Sequence, residues 1–321
     1  MSPSDTRGLE STSGVVRQPV SHSTFINFPF CYDVPGQKDR FDVFIEKGIV
    51  DPLTAVIFVI DANNEYVDAL SRLNSMLQLA YAHNLNPKIE VFIHKVDCLT
   101  EDEKVGIQRE ITDRINSFND EHYSQKQINA FHEHSPISIG YNLTTIYDHS
   151  IFEAFSKVVQ KLIPDLEDLE HLLNTFINSC LIDKVFILDV GTKIYLATDS
   201  MSADMCSYEL CCDMIDIVGG ISAIYSKCSS DPKTPKKLSP TSLALNSFHS
   251  NPSFELAGAS IIEGTYSLIQ LDTRFVLYMR GLNEFMVLVC LIKEEAMDKI
   301  GIINYNFQIL KTGLNKVLEI A

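Results

Sequence analysis

The run Ala55-Val-Ile-Phe-Val-Ile-Asp61 is apolar at every position before its terminal acid. A strand with one wet face alternates apolar and polar residues; a strand without alternation needs cover on both faces. A second strand-like run, Lys88 to Lys95, with an apolar centre at Val91-Phe-Ile93, begins only after Tyr66 to His83, whose apolar residues recur at helical spacing. Parallel strands require a crossover of this kind, so the segment predicts a strand–helix–strand unit in a parallel sheet. Ile137 to Leu143 predicts a further strand, and Phe25 to Tyr32 one that enters a turn at Pro35 and Gly36. Thr100 opens a helix with Asp102 and Glu103 in its first turn, and Ile151 to Ile163 is an amphipathic helix stopped by Pro164. This alternation predicts a doubly wound α/β domain over residues 1–164.

After Pro164 the pattern changes. Leu166 to Ser179 is helical, and strands Lys184 to Val190 and Lys193 to Thr198 are joined by Gly191 and Thr192 as a hairpin. A helix over Ser202 to Ile217 is interrupted by Gly219-Gly220. Residues 226–253, rich in Ser, Pro and Lys, read as a mobile insertion. Strands Gly264 to Leu271, Arg274 to Arg280 and Glu284 to Ile292 follow, then a helix from about Ala296 to Glu319. Residues 165–321 are expected to form an α+β domain with an antiparallel sheet.

With 45% hydrophobic and 21% charged residues, the 321-residue chain is globular in composition. A net charge of −16 disfavours a broad nucleic-acid surface, because neutralising phosphates requires clustered Lys and Arg. The eight cysteines include no C-x-x-C pair, and adjacent Cys211 and Cys212 read as small buried hydrophobes in a reducing, cytoplasmic setting. The longest apolar run, Phe285 to Ile292, is too short to cross a bilayer, and the residues at either end lead one to expect neither a signal peptide nor a lipidation box. Any membrane residence is therefore expected to come through partners.

Two short motifs stand directly after strand-like runs. In Asp33-Val-Pro-Gly36-Gln37, an Asp at a strand end can hold Mg²⁺ through water. The Gly lets backbone approach a γ-phosphate, and the Gln can orient an attacking water. Alone, the stretch is as well read as an ordinary Pro-Gly turn. In His94-Lys95-Val-Asp97, one carboxylate can accept from both N1–H and the 2-amine of guanine, a donor pair that adenine lacks. Alone, this is a solvated strand terminus. Thr144-Thr145-Ile146 follows another strand, where a backbone N–H can reach the guanine oxygen, and Thr12 can coordinate Mg²⁺ from a loop. His132-Glu133-His134 invites a metal reading, but i,i+2 spacing favours a polar loop. No G-x-x-x-x-G-K-[ST] phosphate loop occurs.

In order and spacing, these motifs resemble the Rag (Gtr) family of Ras-related GTPases, in particular its C/D branch. The resemblance is carried by Leu9 to Thr12, Asp33 to Gln37, Val56 to Asp61, Glu90 to Asp97, Leu143 to Pro164 and Ser207 to Asp216, with His94 where other branches have Asn. It implies a Ras-like nucleotide domain followed by a roadblock-type dimerisation domain, binding GTP or GDP with Mg²⁺ and hydrolysing GTP. It gives Thr12 and Asp33 the metal, Gly36 and Gln37 the γ-phosphate, with Gln37 catalytic, and His94, Lys95, Asp97, Thr145 and Ile146 the base. It also implies a heterodimer with an A/B-type Rag and docking on the lysosomal surface through a roadblock-containing scaffold. Through these it signals amino-acid availability to the target-of-rapamycin kinase complex. The family begins with a strand, phosphate loop and helix before the segment that matches Met1, so roughly 30 or more such residues are expected to be missing here. The alternative is a pseudo-GTPase isoform acting only as a dimerisation module.

Overall fold

The computed structural model describes residues 12–18, 31–36, 41, 45, 50, 54–83, 85–129, 136–163, 166–200, 204–228, 266–271, 274–283 and 285–320. These fall into two compact units, one ending at Leu166 and the other beginning at Glu167.

In the first unit, β1 (Val16–Gln18) and β2 (Cys31–Asp33) form an antiparallel pair. Strands β3 (Ala55–Asp61), β4 (Lys88–His94) and β5 (Ile139–Thr144) form a parallel sheet in that order. Helices α1 (Val67–Ala82) and α2 (Glu101–Asn129) make the connections, and α3 (Ser150–Gln160) follows β5. The absence of alternation in β4 is explained by cover on both faces. Ile89, Val91 and Ile93 pack against Leu73, Leu77 and Ala80 of α1 and Ile111 and Ile115 of α2. On the other face, Phe92 packs on Ala154 and Val158 of α3, with the Phe155 ring edge-on at 5.4 Å.

Glu90 shares that second face and is only 2% exposed. A buried carboxylate is costly unless paired. Lys161 forms its ion pair and Asn142 Nδ2 donates to it at 2.7 Å. Gly140 leaves it room, since a Cβ there would collide with the carboxylate. At the start of α2, Thr100 N donates to Glu103 at 2.8 Å and Glu103 N donates to Thr100 Oγ1 at 3.4 Å, a capping box.

The second unit is α+β. Helix α4 (Leu166–Cys180) precedes β6 (Ile182–Asp189) and β7 (Tyr195–Thr198). After α5 (Met205–Cys228) come β8 (Tyr266–Gln270), β9 (Phe275–Gly281), β10 (Met286–Lys293), a 3-10 segment and α6 (Ile300–Ile320). The strands form one antiparallel sheet in the order β7-β6-β10-β9-β8. The hairpin turn is closed by Asp189, whose Oδ2 accepts from Thr192 N at 2.7 Å and Thr192 Oγ1 at 2.6 Å. Rings of Phe186, Tyr195 and Tyr208 meet at 5.3–5.8 Å.

Helix α5 corrects one expectation. It runs through Gly219-Gly220, so residues 226–228 are helical and not part of an insertion. Each glycine costs a helix interior about 1 kcal/mol. The buried stripe Cys211, Cys212, Met214, Ile215 and Val218 ties the preceding turns to the core, and packing of that kind overrides propensity. The remainder of the 226–253 stretch lies outside the described residues. Burial pushes the Cys212 thiol up to about 12 and also raises Cys211 and Cys290 well above the ordinary thiol range, so these sulfurs behave as apolar packing atoms. Among the described residues, no helix is long and apolar enough to cross a membrane.

Candidate functional site

The parallel sheet sets its three carboxyl ends level: Asp61 pairs with His94, and His94 with Thr144. Ligands of open α/β sheets bind beyond this edge. His94 Nδ1 and Thr144 Oγ1 share a hydrogen bond of 3.0 Å. Burial, then the Lys95 charge, lowers the His94 imidazole below its ordinary range against opposing pulls from Asp61 and Asp97, so the ring is neutral at pH 7.

Lys95 adopts the left-handed conformation at φ 65° and ψ 38°. That conformation costs an L residue roughly 1–2 kcal/mol. Its Nζ forms an ion pair with Asp61 Oδ2 at 2.6 Å, and its carbonyl accepts from Asn63 Nδ2 at 2.9 Å. Asp61 is gripped in turn by Asn63 N at 3.0 Å and Asn64 Nδ2 at 2.8 Å. Its carboxyl lies below its ordinary range because the desolvation that opposes ionisation is outweighed by the Lys95 and asparagine contacts.

Beyond Lys95, Val96 is buried and begins a 3-10 turn over Val96–Cys98 that turns Asp97 outward. Thr145 Oγ1 donates to Asp97 Oδ1 at 2.9 Å, and Cys98 Sγ to Oδ2 at 3.4 Å. Desolvation opposes ionisation of Asp97; Thr145, the residue's own N–H and Cys98 together outweigh it and hold the carboxyl below the usual range. Thr145 is fixed by its own N–H, which donates to Ser150 Oγ at 3.0 Å at the start of α3. Tyr147 N donates to Thr145 Oγ1 at 3.3 Å, while the Ile146 side chain between them is exposed.

A second cluster lies on the β1–β2 pair, where Thr12 Oγ1 donates to Asp33 Oδ2 at 2.7 Å. A hydroxyl and a carboxylate are hard oxygen donors of the kind Mg²⁺ takes, and Mg²⁺ normally keeps water and phosphate oxygens besides. Among the described residues, no group of three or more His, Cys, Asp or Glu could hold a metal. This pair therefore fits Mg²⁺ as part of a shell and not as a cage. Among the described residues, a Cβ at Gly36 would meet nothing within 4 Å, so none of them demands glycine there. Gln37 and His132-Glu133-His134 lie outside the described residues.

The structure thus brings His94, Lys95, Asp97, Thr145 and Ile146 to one sheet edge and joins Thr12 to Asp33 separately. Asp61, Asn63, Asn64 and Ser150 are not among the expected site residues, and Thr144 is expected only as part of its motif, without its bond to His94. Asp61 was detectable as the lone acid ending an apolar run. A cavity of about 380 Å³ lies elsewhere, lined by Glu90, Asn142, Lys157 and Lys161. Its polar groups pair with one another, so it competes poorly with the sheet edge as a site.

A parallel sheet with helices on both faces, ending in a polar array at its carboxyl edge, defines the class of α/β proteins that bind ligands at strand ends. Residues 1–215 match the family described as the Gtr1/RagA G protein conserved region. The chain is 42% identical over its whole length to mouse Ras-related GTP-binding protein D, of which it spans 64%. It is 40% identical to human Ras-related GTP-binding protein C over all of this chain and 72% of that protein. It is 39% identical to GTP-binding protein gtr2 of Schizosaccharomyces pombe over 99% of this chain and 91% of that one. The chain belongs to the Gtr1/RagA G-protein family, as a member of the C/D type.

Proposed function

We propose that this chain is the guanine-nucleotide-binding C/D-type subunit of a Rag heterodimer, reporting amino-acid availability to the target-of-rapamycin kinase complex. The observation that carries the reading is the ionised Asp97 carboxylate, turned outward and braced by Thr145 at the end of His94-Lys95-Val96-Asp97. Two acceptor oxygens held in one place match the N1–H and 2-amine of guanine, and adenine would leave them unpaired. The Lys95 stem lies along the base, and the Ile146 N–H serves the guanine oxygen. Thr12 and Asp33 would hold Mg²⁺, which when bound neutralises charge on the terminal phosphates. Gly36 senses the γ-phosphate and Gln37 orients the water for GTP hydrolysis.

The second unit is read as the roadblock-type dimerisation domain, pairing with an A/B-type Rag. Support comes from α5, whose Leu210, Ile217 and Ile221 share one face and are 37%, 52% and 51% exposed. An apolar helix face of this kind suits a protein partner. Docking on a roadblock-containing scaffold would place the heterodimer at the lysosomal surface from the cytoplasm.

The base-reading assignment is tested by Asp97→Asn in the full-length protein. Exchanging the acceptor for a donor should move the GDP-to-XDP affinity ratio toward xanthosine by roughly 100-fold or more; an unmoved ratio removes Asp97 from the base site. The α5 face also supports a second reading, a pairing module without nucleotide. Absence of any guanine-nucleotide binding by the unsubstituted protein would favour it.

A further inference from the structure

We infer that the turn after β3, through Asp61 and Asn63, is the positioning device for the base-reading loop, holding Lys95 in its left-handed conformation so that Asp97 is presented at the sheet edge. This rests on the guanine reading above and adds two residues that touch no nucleotide in it.

Lys95 is not glycine, yet it sits at φ 65°. A side-chain-bearing residue keeps that conformation only where its surroundings fix it. Here both ends of the residue are held by one short turn: Nζ by Asp61 Oδ2 at 2.6 Å, and the carbonyl by Asn63 Nδ2 at 2.9 Å. Asp61 is pinned by Asn63 N and Asn64 Nδ2, so the grip is itself supported. A backbone bond, Ala62 N donating to the His94 carbonyl at 2.9 Å, extends the sheet pairing into the turn.

The loop after the central strand is therefore held from both flanks. Asn63 and Asp61 hold Lys95 from the β3 side, and Thr145 holds Asp97 from the β5 side at 2.9 Å. Between them, Val96 is buried and acts as the pivot. Releasing the β3-side grip frees Lys95 to relax toward right-handed backbone, which rotates the peptide planes leading to Asp97. Discrimination by a carboxylate that must meet two donors at once depends on that orientation. Asn63 and Asp61 are thus positioning residues for specificity.

The test compares GDP with inosine diphosphate, which lacks the 2-amine, in Asn63→Ala and the nearly isosteric Asn63→Asp, which removes the donor and keeps the shape. The expected result is a fall of about tenfold in the GDP preference, with the unfolding midpoint close to that of the unsubstituted protein. Amide hydrogen exchange of residues 95–98 should accelerate in both variants without any nucleotide present. An unchanged preference with a lowered midpoint overturns the proposal, leaving Asn63 a purely structural role. Unchanged exchange overturns it as well. If the unsubstituted protein shows no preference for GDP over inosine diphosphate, the nucleotide reading fails by itself, and the exchange measurement still decides whether the turn holds the loop.

Discussion

In the five-stranded sheet, β10 buries every residue from Met286 to Ile292, and its neighbours β6 and β9 are nearly as dry. In the three-stranded sheet, only β4 approaches that, while β3 leaves Val59 57% exposed and ends in the ion pair of Asp61 with Lys95. The antiparallel unit takes its order from ring packing and a long ladder. The parallel unit places charge, a left-handed lysine and two asparagines at its carboxyl edge, features that a core built for stability alone would not keep. The contrast separates a region held by apolar packing from one that gathers polar groups at a strand edge.

The largest effect that would test this contrast is expected at Phe186, fully buried against Tyr195 and Tyr208. Phe186→Ala should destabilise the second unit by about 3–5 kcal/mol in denaturant unfolding. A loss below about 1 kcal/mol would show that the ring cluster is not what holds this sheet. A smaller effect is expected in the parallel unit at Glu90, a charge buried in its sheet. Lys161→Met leaves Glu90 with Asn142 alone, and because Lys161 is a third exposed the expected loss is about 1–3 kcal/mol. Adding Glu90→Gln should recover part of it, since a neutral amide needs no cation. Failure of the second change to recover stability would mean that the pair acts through packing and not through charge.

How much of this was legible in the sequence differs between the two regions for physical reasons. The strands of both sheets were readable because unbroken apolar runs such as Ala55 to Ile60 and Phe285 to Ile292 have few other homes. The helix past Gly219-Gly220 was not, because its support comes from core packing and local propensity argued against it. At the site, the His94-Lys95-Asp97 spacing is local and could be read directly. The partners that give it shape are not local: Asp61 lies 34 residues from Lys95, and Thr144 lies 50 from His94. Only parallel register brings them level, and register depends on which strands pair. Thr12 and Asp33 are expected from the resemblance to share a metal, and the structure adds a direct hydrogen bond between them.

In the proposed function, the outward carboxylate of Asp97 and the Thr12–Asp33 pair would serve opposite ends of a single nucleotide. A crystal structure of the full-length protein with GDP and Mg²⁺ tests it most directly. The expected density has the guanine edge on Asp97 and the metal beside Thr12 and Asp33. A purine bound away from Asp97, or a metal bound far from Asp33, would contradict it.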